Sequence, residues 1–181
     1  MPATPRGARA CALALAGLGL TASTLATSAL AAPAATAASG DDAQQITSTT
    51  TRTVAQRVSA RVLSAKDVAM RQRGDAYAYG AAGPDRFDCS GLVFYSFRRA
   101  GFPVPRTSGA QAGFTRRIAK QDMRAGDLMF FYGSGGVYHA AIFLKWSHGH
   151  AVMVHSPGSG QRVQVAVPWT SNWSGGTLRR G

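Results

Sequence analysis

The run Asp88-Cys89-Ser90-Gly91-Leu92-Val93 and the residues after it constrain the fold more than any other segment. Cys89, Leu92, Val93, Ser96, Phe97 and Ala100 recur at i, i+3, i+4, i+7, i+8 and i+11, the stripe of a helix that buries one face. Gly101 and Pro103 end it. Asp88 stands where an N-cap carboxylate accepts the first free helix amides. The helix therefore starts at a cysteine, a position that favours a thiolate because helix-start amides lower a thiol's pKa.

Such a face needs a second layer, and the pattern downstream supplies it. After a turn at Arg124-Ala125-Gly126-Asp127, residues 128–132 read as a first strand. Residues 137–144 and 151–155 follow as strands joined through Lys145 to His150, and 162–167 as another. Upstream, Val54, Val58, Val62, Leu63 and Met70 lie near helical spacing within 53–73, with Gly74 as the stop, and a shorter helix follows Thr107-Ser108. Helices first and strands later give an α+β class, N-terminal helices packed on an antiparallel β-sheet. No internal repeat is visible, and residues 168–181, with Trp169 and Trp173 among Ser, Asn and Gly, are expected to cap the sheet edge.

The N-terminus carries a different message. Residues 1–31 have the form of a secretion signal peptide: Arg6 and Arg9, an apolar run from Ala10 to Leu20, then Ala29-Leu30-Ala31 as an A-x-A site. The apolar run is too short for a membrane span, which takes roughly 20 residues. Cys11 stands at its start and not at the cleavage site, so no lipid or membrane anchor is expected. Residues 32–51 are mostly Ala, Thr, Ser, Gly and Asp with little to bury, a flexible tether, which leaves 52–181 as one folded domain.

Export would leave Cys89 as the sole cysteine, without a disulfide partner in a compartment where disulfides are usual. The 20 Lys and Arg face 8 acids, all Asp, and loss of Arg6 and Arg9 lowers the formal charge of +12 by two. A polyanionic partner is expected. No helix-turn-helix, zinc spacing or interleaved aromatic-basic motif points to nucleic acid, so charge alone supports non-specific attraction. For a secreted chain, extracellular or wall-associated, anionic cell-wall polymers are the matching surface.

A thiol at a helix start becomes a nucleophile when an imidazole partners it. Four histidines occur, His139, His148, His150 and His155, all on the β part. His139 opens the strand run Ala140-Ala141-Ile142-Phe143-Leu144 and is the candidate base. His155, ending the neighbouring strand, could bond its far nitrogen and select its tautomer. His148 or His150 could fold back in that role instead, across the Lys145–His150 connection. His148-Gly149-His150 with His155 and Cys89 also offers nitrogen and sulfur for zinc, but H-x-H in a turn without a carboxylate is a weak metal motif, and no metal or cofactor is expected.

These residues sit in a longer pattern: Tyr77-Ala78-Tyr79-Gly80, Phe87-Asp88-Cys89-Ser90-Gly91-Leu92-Val93, Pro105-Arg106-Thr107-Ser108 with Gln111, and Ala125-Gly126-Asp127-Leu128-Met129-Phe130-Phe131. In order and spacing it resembles the NlpC/P60 family over about residues 55–167. The resemblance implies a papain-like α+β domain that hydrolyses amide bonds of peptidoglycan stem peptides, typically after D-γ-glutamyl and before a diamino acid. It makes Cys89 the nucleophile, His139 the base, His155 the third member of the triad and Tyr77 an oxyanion donor. Asp88 and Ser90 would hold the free amine of a stem peptide and Arg106 a carboxylate. Two departures stand out: His139 is followed by Ala140-Ala141 in place of Val-Gly, and the Lys145–His150 hairpin is longer. Rival readings are a catalytically silent wall-binding module and a Cys-His amidase or acyltransferase on the same core. Oligomeric state has no sequence correlate here.

Overall fold

The computed structural model describes residues 40–179, with side chains from residue 53. The expected signal at 1–31 lies outside the described residues. Helix α1 (Gly40–Arg71) is longer than composition suggested. Residues 40–51, assigned above to a flexible tether, are helical. Their poverty in apolar residues was the ground for that assignment, yet no Gly or Pro interrupts 41–71. A helix anchored further on by buried Val62, Ala65, Val68 and Ala69 extends backwards at one hydrogen bond per residue.

Two short strands, β1 (Ala76–Tyr77) and β2 (Arg86–Phe87), pair in parallel and lead into α2 (Cys89–Arg99). Asp88 caps α2 through its carboxylate, which accepts from the Gly91 amide at 2.6 Å. Helix α3 (Ser108–Phe114) follows under a Thr107 cap. The next strands are β3 (Arg116–Ile118), β4 (Leu128–Gly133), β5 (Gly136–Ser147), β6 (His150–His155), β7 (Gln164–Ala166) and β8 (Trp173–Thr177). Residues 128–132 are thus not the first strand; β1 to β3, too short to show a period, precede them.

The main sheet runs β3-β8-β4-β5-β6-β7, every pairing antiparallel. The C-terminal segment does not cap an edge: β8 lies between β3 and β4. Its Ser174-Gly175-Gly176 core is poor strand sequence, but crowding demands it. A Cβ on Gly176 would overlap Thr115 Oγ1 and stand 2.9 Å from the Phe130 ring. Residues 145–147 and 150, read above as a connection, extend the β5–β6 ladder and leave only His148-Gly149 as the turn, with φ of 49° and 78°.

Helices α1 and α2 cover one face of the sheet. Leu92, Val93 and Phe97 of α2 are fully buried with Val62, Phe130, Ala140 and Ile142, each such side chain stabilising the fold by roughly 1.5–3 kcal/mol. Met129, Phe131, Ala141, Phe143, Met153 and Trp173 bury the opposite face. Asp127 locks the turn into β4: its carboxylate accepts from the Arg124 amide at 2.7 Å, the Thr177 hydroxyl at 2.6 Å and Arg179 Nη1 at 2.5 Å. Among the described residues, no helix is long and apolar enough to cross a membrane.

Candidate active site

A cleft of about 500 Å³ opens where α2 begins. Tyr77, Asp88, Cys89, Ser90 and Arg106 all line it, with Tyr79, Thr107, Ser108 and Tyr138 on the rim. The turn before α2 is held against the helix by close backbone approach: a Cβ on Gly91 would overlap the Ala81 carbonyl. That contact explains the glycine two residues after the cysteine.

Asp88, Ser90 and Arg106 line the cleft and are bound to one another. Arg106 donates from Nη1 to Asp88 Oδ1 at 3.0 Å and from Nη2 to Oδ2 at 2.6 Å, a two-pronged pair. Its Nη1 also reaches Ser90 Oγ at 2.9 Å and its Nη2 the Ala81 carbonyl at 3.2 Å. Asp88 further accepts from the Gly80 amide at 2.9 Å and from Ser90 at 3.3 Å. Burial alone would raise the Asp88 carboxyl, but the Arg106 bonds and the Gly91 and Gly80 amides outweigh it and hold the carboxyl below its ordinary range. The resemblance implied a substrate amine, held together with Ser90, as the partner of Asp88 and a substrate carboxylate as the partner of Arg106. In the folded chain Asp88 and Arg106 satisfy each other and clamp the loop before α2.

His139 and His155 do not line this cleft. Both are buried, and His139 Nε2 lies 3.0 Å from His155 Nδ1. The backbone explains the meeting: His139 pairs with Phe131 at the start of the β5 ladder, and His155 ends β6. Ser156 then bonds the Phe87 carbonyl at 2.7 Å, stapling the end of β6 to the segment that enters Cys89. His148 and His150 sit exposed at the hairpin tip. Among the described residues no three His, Cys, Asp or Glu are grouped to hold a metal.

No hydrogen bond joins Cys89 to His139 directly among the described residues. The group that faces the sulfur is the backbone amide of Ala140, the residue after His139. Burial pushes the thiol up, the Asp88 charge adds to this, and the amides of Ala140, Ser90 and Cys89 itself pull the other way without prevailing. The expectation that the helix start favours a thiolate is therefore corrected: desolvation exceeds the amide field, and the resting group is the thiol. Burial brings His139 down to about 3, with the His155 charge adding, and His155 down to about 4. Both imidazoles are neutral at neutral pH. Burial also raises the Tyr77 phenol, with Cys89 and Asp88 contributing, so Tyr77 remains a proton donor.

One residue the sequence left without a role covers the histidines. The Trp169 indole stacks on Phe131 at 4.7 Å, meets His139 edge-on at 5.2 Å and lies over His155 at 5.8 Å. Its Nε1 donates to the Tyr138 hydroxyl at 3.3 Å. An aromatic in a polar loop has no period to expose it; the only sequence hint is its place just after the last patterned strand. His155 Nε2 is buried with no hydrogen-bond partner among the described residues.

Comparison with known proteins agrees with this architecture. Residues 74–180 match the NlpC/P60 family model. The probable endopeptidase p60 of Listeria monocytogenes is 40% identical over 92 residues, 51% of this chain and 18% of that protein. This chain thus spans about a fifth of that relative's length. Among solved structures, the peptidoglycan hydrolase RipB of Mycobacterium tuberculosis superposes with a TM-score of 0.60 at 27% identity, covering 70% of this chain and 68% of that one. RipD of the same organism, described as a non-catalytic NlpC/p60 domain protein adapted to peptidoglycan binding, superposes at 0.54 and 27% identity over 65% of this chain and 97% of that one. With the family match spanning residues 74–180, on the segment that carries the cleft, the clamp and the histidine pair, the chain belongs to the NlpC/P60 family.

Proposed function

We propose that this chain is a secreted peptidoglycan hydrolase, a cysteine endopeptidase that cuts stem-peptide amide bonds between D-γ-glutamyl and a diamino acid. The observation that carries the reading is the buried His139–His155 pair, set one residue from the amide that faces the Cys89 sulfur. The pairing occupies His139 Nε2 and leaves Nδ1 as the nitrogen for the thiol. A neutral His139 accepting there carries its proton on Nε2 and donates it to His155 Nδ1, which puts the His155 proton on Nε2.

Because thiol and imidazole are both neutral at rest, proton transfer accompanies attack. The Cys89 proton passes to His139 Nδ1 as sulfur bonds to the substrate carbonyl carbon, and the carbonyl oxygen gains charge that the Tyr77 hydroxyl meets. His139 then returns the proton to the amide nitrogen, the C–N bond breaks and a thioester remains. Water gives a proton to His139, its oxygen attacks the thioester, and sulfur leaves with the proton restored.

The relatives' names as probable endopeptidase and peptidoglycan hydrolase support the substrate class. The basic balance suits an anionic wall. Export rests on residues 1–31, and the N-terminal sequence of secreted protein should begin at Ala32. Mass spectrometry of purified muropeptides after digestion tests the activity: wild type should release fragments cut after D-γ-glutamyl, and Cys89→Ala should release none while melting as wild type does. Cleavage by Cys89→Ala would refute the nucleophile. Binding without cleavage by wild type would favour the wall-binding role ascribed to RipD.

A further inference from the structure

All three tryptophans of the chain converge on one groove outside the catalytic cleft. Trp146 stands on β5, Trp173 on β8 and Trp169 on the loop between β7 and β8, around a volume of about 410 Å³ that also takes in Lys120, His150 and Thr170. Trp173 is buried and forms the floor, whereas Trp146 and Trp169 are 41% and 56% exposed. Aromatic faces gathered in one groove, with polar groups at its edge, are the usual composition of a ligand site. Trp169 is the partition: it lines this groove while its ring covers the catalytic histidines and its Nε1 bonds Tyr138, which lines the Cys89 cleft.

We propose that this groove binds the glycan of the same wall polymer, one or more β-linked N-acetylhexosamine rings. A pyranose offers an apolar C–H face ringed by hydroxyl and amide groups, and the groove offers the complement, flat aromatic faces among the polar groups of His150 and Thr170. Charge separates this occupant from an anionic polymer. Among the described residues Lys120 is the groove's one Lys or Arg, and its ammonium is already committed, to the Ser171 carbonyl at 2.7 Å and over the Trp173 ring at 4.3 Å. The site is therefore built for a neutral ring. Continuity with the cleft supplies the second reason: stem peptide and sugar are covalently joined, so a peptide seated at Cys89 brings its glycan to the neighbouring surface. In this respect the inference rests on the proposed function.

Titration with a chitin hexasaccharide, which carries no peptide, tests it by tryptophan fluorescence and by amide shifts in NMR. Wild type should saturate, with shifts centred on Trp146, His150 and Trp169, and Trp146→Ala should bind at least about tenfold more weakly. Hydrolysis of a short soluble stem peptide by Trp146→Ala should equal wild type, and His150→Ala, an exposed change, guards against a folding artefact by weakening sugar binding in the same direction. Absence of saturable binding to wild type, unchanged affinity in both variants, or binding of polyphosphate in place of the hexasaccharide would overturn the proposal. Loss of stem-peptide hydrolysis in wild type itself would instead sink the peptidase reading, while hexasaccharide binding would stand by its own measurement.

Discussion

The buried histidine pair makes stability fall steeply on mild acidification. His139 is held to about 3 and His155 to about 4, against 6.5 for an ordinary imidazole. In the unfolded chain both take up protons as pH drops below 6.5, whereas in the folded chain both stay neutral until near 4. The unfolded state thus binds more protons, and stability is lost as pH falls through that window. Each histidine contributes a slope approaching 1.4 kcal/mol per pH unit. From pH 7 to pH 5 the pair should remove about 4 kcal/mol, against a typical total of about 5–15. Urea unfolding at pH 7, 6 and 5 reads the effect as a falling midpoint. Replacing His139 and His155 together by Gln should flatten the profile, while His148→Gln with His150→Gln, both exposed, should leave it as in wild type. A wild-type midpoint unchanged between pH 7 and pH 5, or an equal fall in the His139/His155 double variant, would refute the argument from burial.

Other perturbations separate chemistry from scaffolding. Arg106→Ala leaves a carboxylate whose side chain is 11% exposed without its counter-ion; with Arg106 itself a third exposed, the loss should be about 1–3 kcal/mol, read in urea, and Asp88→Asn in the same chain should recover part of it. Tyr77→Phe should lower kcat on stem peptide by about tenfold to a few hundredfold with little change in KM; a pure KM effect would mean the phenol binds substrate only. His139→Ala should abolish turnover, and His155→Ala should reduce it less severely, since in the proposed mechanism His155 holds His139 without touching the reacting atoms; equal residual rates would contradict that order. Gly176→Val should unfold the chain at markedly lower urea, because its Cβ would overlap Thr115 Oγ1 between strands.

The parts of this molecule that bury a periodic face were legible before any coordinates. Helix α2 announces itself through Leu92, Val93 and Phe97, and β4 to β6 through continuous apolar runs, because burial selects those residues at those spacings. Strand β8 was hidden for the opposite reason: its place between β3 and β4 requires Gly175 and Gly176, residues that argue against a strand in isolation. The helical stretch 40–51 was hidden because propagation from an anchored helix leaves no apolar mark. At the site, the pattern put Cys89 at a helix start and His139 and His155 on neighbouring strands, and the β5–β6 pairing brings the two imidazoles within 3.0 Å. The mutual commitment of Asp88 and Arg106 could not be read from the pattern, since it depends on a loop geometry that brings together residues 18 apart. Nor could the thiol's upward shift, which is a matter of how much water the folded cleft excludes.

Alkylation of Cys89 tests the central claim most directly. Treated with graded iodoacetamide and mapped by peptide mass to Cys89, the protein should lose stem-peptide hydrolysis in proportion to the fraction modified, reaching none at full modification. Protein fully modified at Cys89 that still cleaves at the wild-type rate would contradict the account.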